Sequence, residues 1–261
     1  MTPTARTALS VLTVLMVTAM PAFAEDEAPN HQLIILHEAH INIERSADQE
    51  AMIKEFLPIA TELKHPFPFS TFTLEDGNYF FATPVEGYGG LADFNAAWKD
   101  TMGKMGEEKM ADFMARGEGI DQFSKDSLWW QRLDLSYVPE GLDVDPATST
   151  FRFWGWFYGK PGHEAQIEEY FKKFVALSKK HDVKRAWHTF MGDIGTEYPV
   201  YVWSEMGDSE ASFAAMSEEI MKKTGDESAT LWNEMLQHAR KFELMRGQYR
   251  PELSYEPPTE N

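Results

Sequence analysis

Aromatic and β-branched residues gather in runs of strand length at residues 33–42 and 151–160, as half-buried strands require. After each run the apolar positions switch to three-to-four spacing. Ile53, Phe56, Leu57, Ala60 and Leu63 line one face, and Ile167, Tyr170, Phe171, Phe174 and Leu177 another, which predicts an amphipathic helix in both places. Pro58 inside the first should kink it or mark its true start. Two strands joined by a turn follow each helix: 67–74 and 79–83 around Glu75-Asp76-Gly77-Asn78, then 185–191 and 198–204 around 192–195. A second helix is predicted from Leu91, Phe94, Trp98, Met102 and Met105, with Phe213, Met216 and Ile220 as its counterpart. Further helical segments carry Met110, Phe113, Met114 and Gly117, matched by Trp232, Met235, Leu236 and Ala239. A last strand is expected to run up to Leu135-Ser136-Tyr137 and to Leu253-Ser254-Tyr255.

The chain therefore repeats itself. At a shift of 118, Phe56 meets Phe174, Phe72 meets Phe190, and the two Leu-Ser-Tyr tripeptides coincide, each with a proline two residues on (Pro139, Pro257). Agreement in order over a hundred residues points to duplication. The reading is two units, residues 25–140 and 151–261, joined by a linker at 141–150. Each has the order βαββαβ with an extra helix before the last strand.

Residues 1–24 stand outside this pattern. Arg6, an apolar run from Ala8 to Met20, then Pro21 and the small-residue site Ala22-Phe23-Ala24 read as a secretory signal peptide, too short in its apolar part for the ~20 residues that span a bilayer. The expectation is a periplasmic or secreted protein with no membrane span in its mature form. Twenty-four Lys and Arg stand against forty-two Asp and Glu, a formal charge of −18. That balance argues against a nucleic-acid partner, whose binding depends on cations displacing counterions from phosphates. The absence of cysteine excludes disulfides, thiolate nucleophiles and Cys-ligated metal.

The βαββαβ order is that of the ferredoxin-like split βαβ unit, whose sheet buries one face under helices and needs cover for the other. Two units in one chain can supply that cover by packing sheet on sheet. The run Phe153-Trp154-Gly155-Trp156-Phe157-Tyr158-Gly159-Lys160-Pro161-Gly162-His163-Glu164 resembles the strand-to-helix opening of dimeric α+β barrel proteins, the superfamily that includes antibiotic biosynthesis monooxygenase domains and NIPSNAP proteins. The first unit has Asn42-Ile43-Glu44-Arg45-Ser46 at the same place and resembles the superfamily in element order alone. The resemblance implies an α+β fold: two tandem ferredoxin-like units packed as an intramolecular α+β barrel pseudo-dimer, a monomer in itself or the building block of a higher homo-oligomer.

Strand parity sorts the candidate chemistry. Leu36, Glu38 and His40 share a face, which at the 118 shift is that of Trp154, Trp156 and Tyr158. This set is assigned to the space between the sheets. The opposite set, with Ile35, His37, Ala39 and Ile41 beside Phe153, Gly155 and Phe157, is assigned to the helix side. His37-Glu38-Ala39-His40 is no zinc signature, since its histidines are three apart on a strand and point opposite ways; no metal and no cofactor is assigned. His238, near a helix end, is read as a surface residue, with an axial haem ligand as the remote alternative. Glu38, His40 and His188 are the candidate acid–base groups, in a pocket walled by Trp154, Trp156, Tyr158, Tyr201 and Trp203. The competing reading makes those rings plain core. Three functions stay open: binding of a small apolar or aromatic molecule in a seam or sheet–helix pocket, cofactor-independent monooxygenase or isomerase chemistry, and a structural module with a filled seam.

Overall fold

A computed structural model describes residues 31–142 and 148–258. The expected signal peptide and residues 143–147 of the expected linker lie outside the described residues. Eight strands close into one barrel: β1 (His31–Ile41), β2 (Ser70–Leu74), β3 (Tyr79–Val85), β4 (Asp121–Tyr137), β5 (Phe151–Gly159), β6 (Trp187–Gly192), β7 (Val200–Gly207) and β8 (Ala239–Tyr249). Around the barrel they run β1-β3-β2-β8-β5-β7-β6-β4, and every pairing is antiparallel. Five helices cover the outside: α1 (Ser46–Glu62), α2 (Gly90–Lys104), α3 (Glu107–Gly117), α4 (Glu164–Lys180) and α5 (Glu210–Leu236).

Three expectations need correcting. The two sheets do not merely stack, because β2 bonds β8 and β4 bonds β6, so the ladder is continuous and no edge is left unpaired. Pro58 does not mark the start of α1, which begins twelve residues earlier at Ser46. The separate helices expected at 213–220 and 232–239 are the arms of α5, interrupted at Gly225, whose φ of 43° only glycine takes without strain; Ala239 already belongs to β8.

The period-2 alternation sends one set of side chains into the barrel and the other under the helices. Inside, Phe80, Trp129, Trp154, Trp156 and Tyr158 meet Val200 and Val202. Outside, Phe157 and Tyr201 pack against Ile167 and Phe171 of α4 and Met235 of α5. Each such side chain, fully buried, contributes roughly 1.5–3 kcal/mol. Gly155 shows how tightly the second outer face closes: an added Cβ would lie 2.1 Å from Trp203, its partner on β7. The indole occupies the space a side chain would need.

The two Leu-Ser-Tyr tripeptides each fasten one half to the other. Ser136 and Leu135 receive the backbone N–H and the hydroxyl of Thr189 on β6 at 2.9 and 2.8 Å, and Tyr137 donates to the Val183 carbonyl. Ser254 and Leu253 receive the same two bonds from Thr71 on β2, at 2.9 and 2.6 Å, and Tyr255 donates to the His65 carbonyl. Thr71 and Thr189 are both fully buried. Replacing either by valine keeps the shape but strands a buried carbonyl; each change is expected to cost about 1–3 kcal/mol and the pair to add. Urea unfolding measures this, and a loss of only a few tenths in both would show that the tripeptides do not fasten the halves.

Candidate functional site

A cavity of about 640 Å³ lies between the outer face of β1, β3 and β4 and the helices α1, α2 and α3. Its walls are apolar. Ile35, Phe69, Phe81 and Leu128 form the sheet side, and Met52, Phe56, Leu91, Phe94, Trp98, Met102 and Phe113 the helix side. The spacing that makes α2 amphipathic aims Leu91, Phe94, Trp98 and Met102 at the sheet, yet all four remain half-buried, because the helix stands off rather than packing down.

Polar groups in this wall are few. His37 and Asp126 face each other across the β1–β4 pairing, with His37 Nδ1 and Asp126 Oδ1 2.7 Å apart. With the carboxylate fixing the Nδ1–H tautomer, Nε2 is the basic nitrogen. Gln49, Thr83 and Asn95 complete the polar lining. Trp98 carries a buried indole N–H with no acceptor, and its ring lies 4.5 Å from that of His65. His65, 1 % exposed, meets the Thr101 hydroxyl at 2.9 Å, and burial pushes its pKa down.

The second half has a smaller counterpart, about 230 Å³. There Trp203 stacks on Phe242 and meets Trp232 edge-on, filling what the first half leaves open. Arg185 and Glu205 form an ion pair at 2.5 Å in its wall; burial pushes the Glu205 carboxyl up and the Arg185 guanidinium down, and their contact opposes both shifts. His238 is turned to His163, Nδ1 to Nδ1 at 2.8 Å. It lines neither of these two cavities.

The residues expected to form one seam pocket are divided. Trp154, Trp156 and Tyr158 do point into the barrel. Tyr201 and Trp203 do not: both lie on the helix side, with Phe157 and Phe171, because their register against Phe157 and Gly155 gives them that parity. Glu38 and His40 sit at one barrel mouth, where Glu38 is 3.8 Å from His40 and 3.5 Å from Lys125. His188 sits toward the other: Glu38 pairs with Lys125, whereas His188 lies next to Thr189, the partner of Arg132. Seven strand residues, roughly 23 Å, separate those levels along β4. Glu38 and His40 therefore cannot act with His188 on one substrate. The barrel interior holds about 120 Å³ between its aromatic rings.

Sequence reasoning passed over the larger cavity because the 91–114 stripe reads as core. The signal was a mismatch at the 118 shift, where His37 and Asp126 align with Gly155 and Leu244.

No family model matches the chain and no curated protein does. Among solved structures it is similar to an anthrone oxidase-like protein (13 % identity over 84 % of this chain and 91 % of that one, TM-score 0.56). It is also similar to a Fusobacterium nucleatum protein provisionally named a monooxygenase (9 %, 84 % and 92 %, TM-score 0.51) and to chlorite dismutase from Candidatus Nitrospira defluvii (7 %, 85 % and 92 %, TM-score 0.50). At these identities the likeness concerns the fold alone, an antiparallel α+β barrel of eight strands.

One buried and one half-buried histidine, His65 and His188, tie stability to pH. Burial lowers the pKa of His65 and, with Arg152 nearby, of His188. Below the unfolded value of about 6.5 the unfolded chain takes up protons that the folded chain refuses, so stability present above that pH is lost on acidification, by up to about 1.4 kcal/mol per pH unit for each histidine. His188→Gln is expected to flatten the acid limb of a stability-against-pH curve. An unchanged slope would show that His188 is not held neutral.

Proposed function

We propose that the protein binds one small apolar or aromatic molecule in the cavity between the first half's sheet and α1, α2 and α3. The observation that carries this reading is the cavity itself. Its 640 Å³ falls within the range of about 300–1,000 Å³ typical of small-molecule sites, and its polar groups are few and local. A ligand with one acceptor would satisfy the Trp98 indole N–H while its body lay against Phe94, Phe81 and Phe113.

The His37–Asp126 contact favours a second reading, cofactor-independent proton transfer on that molecule. Asp126 would hold the imidazole, and Nε2 would take a proton from an acidic C–H or O–H of the bound substrate. Two of the proteins that share the barrel are named for oxidation chemistry, which suits such a role.

The same proposal takes the chain as an exported tandem duplicate. Supporting duplication, Glu168–Arg132 and Glu50–Arg250 are ion pairs at 2.8 and 2.7 Å whose members stand 118 apart. Supporting export is the pattern of residues 1–24.

Titrating the protein with planar aromatic ketones and phenols while following tryptophan fluorescence tests the binding reading. Saturable binding is expected, weakened about tenfold or more by Leu91→Trp, which fills the cavity. No binding up to about 1 mM would remove it. His37→Gln and Asp126→Asn should leave affinity near its original value and, where turnover is found, lower it about 10²–10⁴-fold; turnover that survives both changes discards the second reading.

A further inference from the structure

Arg152 lies on β5 with the parity of Trp154, facing into the barrel, and is 6 % exposed. One nitrogen, Nη1, donates to the carbonyls of Ser149 and Phe151. The guanidinium carbon lies 5.2 Å from the ring centre of Tyr249 and 5.9 Å from that of Phe72. Among the described residues no carboxylate pairs with it. Glu205, one strand over, faces outward to Arg185, and Asp208 accepts from Ser149. The titratable groups that interact with it are the Tyr249 phenol and His188, and burial together with Arg152 itself pushes the His188 pKa down. A buried cation without an anion is costly, and burial has already lowered the guanidinium pKa to about 10.

Phe72 connects this cation to a space that suits an anion's apolar body. The 120 Å³ cavity inside the barrel is lined by Phe72, on which Arg152 rests, and by Trp154, Trp156, Ala82 and Ser204. A cavity of about 150 Å³ with similar walls accepts a benzene ring, so this one takes a short aliphatic chain or, with slight side-chain movement, a single ring. One cation, apolar walls and this volume select a compact monoanion over a phosphate ester or a dicarboxylate.

We propose that the barrel interior is a second ligand site, specific for a small apolar monocarboxylate: the carboxylate binds the Arg152 guanidinium and the hydrocarbon body occupies the cavity between Phe72, Trp154 and Trp156. The site is distinct from the sheet–helix cavity, since the strands that bear the two present opposite faces to them. Arg152 offers Nε and Nη2 for a two-point contact with the carboxylate.

Calorimetric titration of the full chain with benzoate, hexanoate and the uncharged isostere benzamide tests this. At least one of the two acids should bind one to one, and benzamide at least about tenfold more weakly than benzoate. Arg152→Met should weaken the acid by about tenfold or more while leaving aromatic-ketone binding to the first-half cavity unchanged, and Leu91→Trp should do the reverse. The proposal is overturned if neither acid binds at about 10 mM, if acid and amide bind alike, or if Arg152→Met binds the acid as well as the original protein. Should Arg152→Met fail to fold, Ala82→Phe, which fills the cavity and keeps the cation, must abolish acid binding; retention there overturns the proposal equally.

Discussion

The structure depends on four strand edges finding partners. A four-stranded unit of either half, taken alone, would expose the free sides of β2 and β4, or of β6 and β8, as rows of unpaired N–H and C=O groups. Closing β2 on β8 and β4 on β6 removes all four edges at once. Those two seams are short, with three and five paired positions, so backbone bonds alone fix them weakly. Side chains make up the difference. Thr71 and Thr189 bind the opposite half's Leu-Ser-Tyr, and Arg132 and Arg250 reach the first helix of the other half through Glu168 and Glu50. Arg132 engages Glu168 with two nitrogens on two oxygens, at 2.8 and 3.0 Å, a fork that fixes angle as well as distance.

Closure has a chemical consequence. An unbroken ladder with alternating side chains separates the space inside the barrel from the two spaces under the helices, and a residue's parity decides which it serves. His37 and Glu38 are neighbours in sequence, yet one belongs to the sheet–helix cavity and the other to a barrel mouth. Arg152 and Phe153 divide in the same way, Arg152 resting on Phe72 inside and Phe153 stacking on Phe213 outside.

Much of this was legible in the sequence. The spacing of apolar positions gives the order of strands and helices, and period-2 parity places Trp154, Trp156 and Tyr158 inside and Ile35, Ala39 and Phe157 outside, as found. The position of Tyr201 and Trp203 was not legible, because a strand's register against its neighbour is set by turn length and pairing, and the β6–β7 connection gives no local sign of either. Nor was the separation of Glu38 and His40 from His188. Parity tells which face a residue occupies but not its height, and height in a barrel is fixed by the stagger of β4 against β1 and β6.

Cavity size escaped for a different reason. An apolar stripe looks the same whether a helix packs down on a sheet or stands away from it, so Leu91, Phe94, Trp98 and Met102 carry no sign of the space before them. The difference between halves does. In the second half Gly155 lets Trp203 lie flat on the sheet and stack on Phe242. In the first half His37 occupies the position of that glycine, and its cross-strand partner is Asp126 rather than an apolar residue. A side chain that must hold a carboxylate cannot also make room for an indole. The same pair of positions thus narrows one cavity and opens the other, and differences of this kind between the two sides of the barrel are where a ligand site can arise without loss of the latches that keep the barrel shut.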